Sequence, residues 1–104
     1  MNDLHNINGY YVKKNAYIVA RKIHDIYILI NITDNNVGDI CLLYQINETG
    51  YYIWNNIDGK QTCTELAYRL WKTIEEEIDY QTVFEDVLEF LDELNKRGFV
   101  EVLK

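Results

Sequence analysis

Hydrophobic and polar residues alternate along the first half of the chain with the period of β-strands. Over Ala16–Ile23 the two sets of alternate positions are Tyr17, Val19, Arg21, Ile23 and Ile18, Ala20, Lys22. A second alternating segment covers Ile26–Ile32 after the turn residues His24-Asp25. Thr33–Asn36 supplies further turn residues, and a third alternating segment follows over Asp39–Gln45. The three segments predict an antiparallel β-meander.

One face of the second predicted strand consists only of isoleucine. The residues on that face are Ile26, Ile28, Ile30 and Ile32. β-Branched side chains favour strands, and a purely apolar face has to pack on something apolar. We therefore expect helices to cover the isoleucine face.

The hydrophobic period then changes from 2 to 3.6, which predicts three helices. The first covers about Glu48–Ile57, the second begins at the capping box Thr62–Glu65, and the third covers about Tyr80–Arg97. Gly98 is placed to end the third helix in the left-handed conformation, and Phe99–Leu103 predicts a last short strand. The predicted N-caps are Asn47, Thr62 and Asp79.

This order of elements predicts one small α+β domain with a winged-helix-like shape: a three-stranded antiparallel meander, three helices and a short C-terminal strand. A chain of 104 residues with 48% hydrophobic composition has enough apolar side chains for one core. Met1–Asn15 is rich in asparagine and lacks periodicity, so we assign it to a flexible tail and residues 16–104 to the domain.

Charge argues against two classes of partner. Seventeen acidic and ten basic residues give a net charge of -7, which opposes binding to nucleic-acid phosphates and to anionic membranes. The apolar runs are too short to span a bilayer, and Met1–Asn8 lacks a signal-peptide pattern. We expect a cytoplasmic protein.

Candidate chemistry is sparse. The chain contains no serine and no glycine-rich phosphate loop. Cys41 and Cys63 have no metal-ligand spacing, either with each other or with His5 and His24, so we expect reduced and mostly buried thiols. No catalytic residue, metal ligand or cofactor site is predicted.

Several short motifs together resemble a known family. The residues that carry the resemblance are Tyr44–Trp54, Ile57–Lys60, Thr62, Glu65-Leu66, Asp86-Val87, Phe90-Leu91, Leu94 and Gly98–Val100. Their order and spacing are similar to the PqqD-like family, the peptide-binding modules called RiPP recognition elements. The resemblance covers about Ala16–Val102.

The resemblance implies a function without catalysis. In this family the domain binds the leader segment of a ribosomally made precursor peptide and presents the peptide to a modifying enzyme, such as a radical SAM or lasso-peptide-forming enzyme. The leader adds as a strand to the third strand and places apolar side chains in a groove beside the third helix. The order of the elements agrees, because the third strand of a meander is an unpaired edge. The strand residues implied are Asp39, Ile40, Cys41, Leu42, Leu43 and Tyr44.

The third helix carries two apolar stripes. We expect the first to face the core; it comprises Val83, Val87, Phe90 and Leu94. The second, with spacings i, i+4, i+7 and i+11, is the candidate groove wall; it comprises Phe84, Leu88, Leu91 and Asn95. The alternative is that both stripes are buried; we favour the groove for Phe84 and Leu88 and the core for Leu91.

Carboxylates are predicted to surround this groove and to attract basic residues of a leader. They are Glu85, Asp86, Glu89, Asp92 and Glu93. For Asp86 a structural hydrogen bond is an equal alternative.

Other functions stay open at this point. A winged-helix transcriptional regulator has the same outline, although its third helix should be basic. A dimerising scaffold module would use the same edge over Asp39–Tyr44, and a homodimer is compatible with peptide binding. A small enzyme is the weakest alternative, because no reactive groups converge.

Overall fold

The computed structural model describes residues 9–32 and 43–103 of the chain. Within this part, four strands precede three helices and a final strand, which confirms the predicted α+β fold. The elements are β1 (Tyr11–Lys14), β2 (Ile18–Ile23), β3 (Ile26–Asn31), β4 (Leu43–Ile46), α1 (Glu48–Asn56), α2 (Cys63–Thr73), α3 (Tyr80–Lys96) and β5 (Val100–Leu103).

The predicted meander is present as a three-stranded antiparallel sheet with the order β2-β3-β4. His24 and Asp25 form the two-residue turn between β2 and β3, and His24 adopts a left-handed φ of 57°. In the register of the sheet, Leu29 lies between Ala20 and Tyr44. Since β3 is the central strand, one edge of the sheet belongs to β2 and the other to β4.

The predicted tail is partly structured, so the assignment of Met1–Asn15 as a flexible tail is wrong for its last residues. Tyr11–Lys14 form β1, which pairs antiparallel with β5 in a separate two-stranded sheet. Val12 is fully buried, and its backbone N–H donates to the Gln61 carbonyl oxygen at 3.2 Å. Tyr11 and Val12 are apolar enough for a strand, but a separate sheet with β5 could not be predicted, because the partner strand lies at the far end of the chain. Residues 1–8 lie outside the described part.

Side-chain caps begin the helices where the sequence predicts them. Asn47 Oδ1 accepts from the backbone N–H of Gly50 at 2.7 Å. Thr62 and Glu65 form the predicted capping box, with each side chain accepting from the other residue's backbone N–H, at 3.1 and 2.8 Å. Asp79 caps α3, and Gly98 follows it with a φ of 77°. These local hydrogen bonds satisfy amides that a helix leaves without partners in its first turn.

The expectation for the isoleucine face is wrong. The helices cover the opposite face of β3, where Leu29 is fully buried and Tyr27 packs against the core. Ile26 remains 47% exposed and Ile32 54% exposed. Alternation identifies two faces but does not say which one the helices cover. Here that face is the one on which Leu29 lies between Ala20 and Tyr44.

The core lies between this inner face of the meander and the three helices. Trp54, Leu88, Leu91 and Leu94 are among the largest fully buried side chains. Cys63 is also buried as a free thiol, as predicted, whereas Cys41 lies outside the described residues. Among the described residues, no helix has the length and apolar composition needed to cross a bilayer.

Candidate functional site

The edge of β4 is the first component of the candidate site. Within the described residues, Leu43–Ile46 pairs with β3 on one side and has no strand partner on the other. Leu43 and Tyr44 from the predicted set therefore lie on an open edge. The other four strand residues lie outside the described part; these are Asp39, Ile40, Cys41 and Leu42. An open edge offers backbone donors and acceptors to an extended peptide.

Aromatic and cationic contacts attach β4 to the end of α3. The Arg97 guanidinium lies 4.3 Å from the centre of the Tyr44 ring, and the Phe99 ring meets Tyr44 edge-on with centroids 5.7 Å apart. Arg97 Nε also donates to a Glu93 carboxylate oxygen at 2.7 Å. These contacts fix the Tyr44 side chain, so β4 is held in place before any additional strand pairs with its edge.

A cleft of about 380 Å³ is the second component, and it begins where β4 ends. Asn47, the residue after β4, lines its mouth together with the first turn of α1. The end of α2 and the first half of α3 complete the walls. The apolar side chains that line it are Ile53, Leu70, Ile74, Ile78, Val83, Val87 and Phe90. A volume in this range fits side chains of a peptide, since binding pockets for small molecules begin at about 300 Å³.

Gly50 allows the Phe90 ring to lie against the first turn of α1. A Cβ atom at Gly50 would lie 3.0 Å from Phe90 Cζ and 3.2 Å from Asn47 Oδ1. Both distances are shorter than ordinary van der Waals contact. Phe90 is half-buried and forms a wall of the cleft. A glycine inside a helix costs about 1 kcal/mol of stability relative to alanine, so a glycine at this position indicates that another side chain approaches the helix closely. Gly50 was therefore the sequence signal for the wall that Phe90 forms.

Both α3 stripes are mostly buried, which is the alternative that the sequence left open; in the first stripe Val83, Val87 and Leu94 are 5%, 1% and 0% exposed. Phe84 is 8% exposed and Leu88 is 0% exposed, so these two residues belong to the core and not to the expected groove wall. Leu91, for which we favour the core, is 0% exposed. Asn95, the last residue of the second stripe, is exposed near the end of α3. The Phe84 ring stacks on Tyr80 at 5.7 Å, away from the cleft.

Three residues of the first stripe, which we expect in the core, also line the cleft, and two of them are buried core residues as well. They are Val83, Val87 and Phe90. Both stripes are apolar at helical spacing, so the sequence alone could not tell which one borders solvent. The difference arises because the end of α2 and the first turn of α1 leave a gap beside the Val83 side of α3.

Two carboxylates give the cleft its charge. Asp86 and Glu89 line it, and within the described part of the chain neither carboxylate accepts a hydrogen bond or forms an ion pair. The other predicted carboxylates are engaged along α3: Asp92 pairs with Lys96 at 3.1 Å, Glu93 with Arg97 at 2.7 Å, and Glu85 accepts from Gln81 at 2.9 Å. The cleft is therefore apolar with an acidic rim.

The described part of the site, the edge of β4 and the lining of the cleft, contains no histidine or cysteine. The described residues contain no cluster of three or more histidine, cysteine or acidic side chains that could hold a metal ion. Burial raises the pKa of the Cys63 thiol to about 12, so it stays protonated at neutral pH and is a poor nucleophile. The arrangement is suited to binding an extended peptide.

Comparison with known proteins agrees with this geometry. The family model described as coenzyme PQQ synthesis protein D (PqqD) matches residues 34–100. The fold is similar to the structure "TbiB1 in Complex with the TbiA(beta) Leader Peptide", with a TM-score of 0.65 and 20% identity over 86% of this chain and 94% of that one.

A second structure, "Lasso peptide synthetase B1 complexed with the leader peptide", also has a TM-score of 0.65, with 16% identity over 86% of this chain and 96% of that one. No curated protein matches the chain in sequence. At these identities the two solved structures establish the shared fold.

Proposed function

Because the chain belongs to the PqqD family, whose model matches more than half of it, we propose that it binds the leader segment of a ribosomally synthesised precursor peptide and presents it to a peptide-modifying enzyme. The observation that carries the proposal is the open edge of β4 leading into an apolar cleft with an acidic rim. Both solved structures with this fold contain a leader peptide, which supports the same role here.

In the proposed complex the leader adds as a fourth strand beside Leu43–Ile46. Its backbone exchanges hydrogen bonds with the outer edge of β4, which gives affinity independent of sequence. Its side chains alternate in direction, so every second one points toward α3. An apolar side chain then enters the cleft beside Phe90, and a neighbouring lysine or arginine lies near Asp86 and Glu89.

The protein's contribution to modification is recruitment. We propose that catalysis belongs to a separate enzyme, of the radical SAM, lasso-forming or another peptide-modifying class. This protein would raise the effective concentration of the precursor near that enzyme. Ribosomal synthesis of the precursor places the proposed encounter in the cytoplasm.

DNA binding by α3 is disfavoured by charge. A winged-helix regulator needs a recognition helix that neutralises phosphates. On the outer surface of α3, five carboxylates oppose two cations; the carboxylates are Glu85, Asp86, Glu89, Asp92 and Glu93. The two cations, Lys96 and Arg97, are already paired with Asp92 and Glu93.

Calorimetric titration with the leader of a precursor encoded beside this gene tests the proposal. We expect a dissociation constant of about 1 μM or lower, since an added strand and two or three apolar anchors supply about 8 kcal/mol. Phe90→Ala should weaken binding, and Tyr68→Ala, an exposed aromatic residue on α2 outside the cleft, is the matched control. No heat from the folded protein, or equal binding by the two variants, would contradict the proposal.

A further inference from the structure

The outer face of the meander, turned away from the helices, is apolar, and none of the described elements packs on it. Its residues are Tyr17, Val19, Ile23, Ile26, Ile28, Ile30 and Ile32. Tyr17 is 57% exposed and Ile23 is 51% exposed. The patch amounts to roughly 500 Å², near the upper end of the largest apolar patch on a typical monomer. A patch of this size on a small domain indicates an interface.

Two polar side chains interrupt the apolar outer face, and the register puts them in one row. Arg21 on β2 pairs with Ile28 on β3, which pairs in turn with Gln45 on β4. Arg21 and Gln45 are both exposed, and neither pairs with a carboxylate within the described residues. One guanidinium nitrogen of Arg21, Nη1, donates to the Ala20 carbonyl oxygen at 2.9 Å. Any surface that covers this face has to offer acceptors to the remaining guanidinium N–H groups, because a buried cation with unpaired donors is costly.

A second copy of the chain meets that requirement. If two outer faces pack with a two-fold axis running along β3, β2 of one copy lies over β4 of the other. Arg21 then faces Gln45 of the partner subunit, whose amide oxygen accepts from the guanidinium, and the symmetry repeats the contact. Ile28 packs against Ile28 of the partner subunit at the axis. The strands of the two sheets are then nearly aligned, as in ordinary sheet-on-sheet packing about 10 Å apart.

We propose that this protein forms a symmetric dimer through the outer face of the meander, with Arg21 of each copy bound to Gln45 of the other. The dimer buries roughly 1,000 Å² in total, which is the lower limit for a specific interface, so we expect weak association. The proposal does not depend on leader binding. The edge of β4 stays open in this dimer, unlike in a dimer formed by pairing that edge.

Sedimentation equilibrium over a range from about 5 μM to 1 mM tests the dimer. The measured mass should rise from 12.4 kDa toward twice that value as concentration increases. Ile28→Lys places two cations together at the axis and should keep the mass at the monomer value. A wild-type mass that stays at the monomer value throughout would overturn the proposal.

A charge swap tests the register. Gln45→Arg faces Arg21 of the partner subunit with a second cation and should abolish the dimer, whereas Arg21→Glu combined with Gln45→Arg should restore it. Asn55→Arg makes the same change of charge at an exposed position of α1 and should leave the dimer intact. Circular dichroism checks that each variant is folded. A dimer that survives both Gln45→Arg and Ile28→Lys would show that another surface, such as a strand edge, forms it.

Discussion

Two phenylalanines of α3 allow the core to be separated from the peptide-binding cleft. Phe84 is 8% exposed and stacks on Tyr80, so Phe84→Ala opens a cavity in the core. Such truncations cost about 3–5 kcal/mol, a large part of the 5–15 kcal/mol that stabilises a typical domain. Phe90 is half-buried and borders an open cleft, so water fills the space that Phe90→Ala leaves. We expect that change to cost about 1–2 kcal/mol of stability.

The effects on binding should have the opposite order. Loss of the Phe90 ring removes an apolar wall from the cleft, which at a well-packed anchor is worth about 2 kcal/mol, or roughly a 30-fold rise in the dissociation constant. Phe84→Ala should leave the affinity of the folded fraction nearly unchanged. Urea denaturation gives the free energies of unfolding, and calorimetry at a temperature where both variants are folded gives the affinities. A stable Phe84→Ala variant that has lost affinity, beside a Phe90→Ala variant that binds normally, would refute the assignment of the stripes.

Three further predictions follow from charge. Asp86→Lys combined with Glu89→Lys should slow association with a leader that carries lysine or arginine by roughly tenfold at low salt, and stopped-flow fluorescence at low and high salt should show this difference shrinking as salt screens the charges. Duplex DNA should give no sub-micromolar, salt-sensitive gel shift. The hydrogen bond from the Thr82 hydroxyl lowers the pKa of the Asp79 carboxyl below its ordinary value of 3.8, so the stabilisation it provides is complete above that value and disappears as the pH falls through the lowered pKa. Asp79→Ala should therefore lower the thermal melting temperature at neutral pH, and the two melting curves should converge in strong acid.

Local chemistry explains which elements could be predicted from the sequence. Asn47 and Thr62 begin helices through hydrogen bonds within three residues of the cap, and Gly98 adopts its left-handed φ where α3 ends. The pairing of strand β1 was missed because its partners are distant in sequence. Val12 pairs with Val102, and the backbone N–H of Val12 donates to the Gln61 carbonyl oxygen. No pattern within Tyr11–Lys14 contains that information.

The sequence could not predict which apolar stripe of α3 and which face of β3 point toward the core. The open edge follows from the order of the meander, which local patterns predict. The two apolar stripes of α3 share the helical period, and the two faces of β3 share the strand period. The period therefore cannot say which stripe or which face points toward the core, because that depends on how the helices and the sheet pack together. In α1, the glycine at position 50 was the local sign that another side chain approaches closely, and that side chain is Phe90.

Nuclear magnetic resonance of the complex shows whether a leader peptide adds as a strand to β4. With isotope-labelled protein and unlabelled leader, we expect interchain contacts between backbone protons of the leader and those of Leu43–Ile46. We also expect slowed amide exchange on that strand and shifted ring signals of Phe90. A leader that binds tightly while leaving β4 and Phe90 unchanged, with its contacts on another surface, would show that strand addition to β4 is wrong.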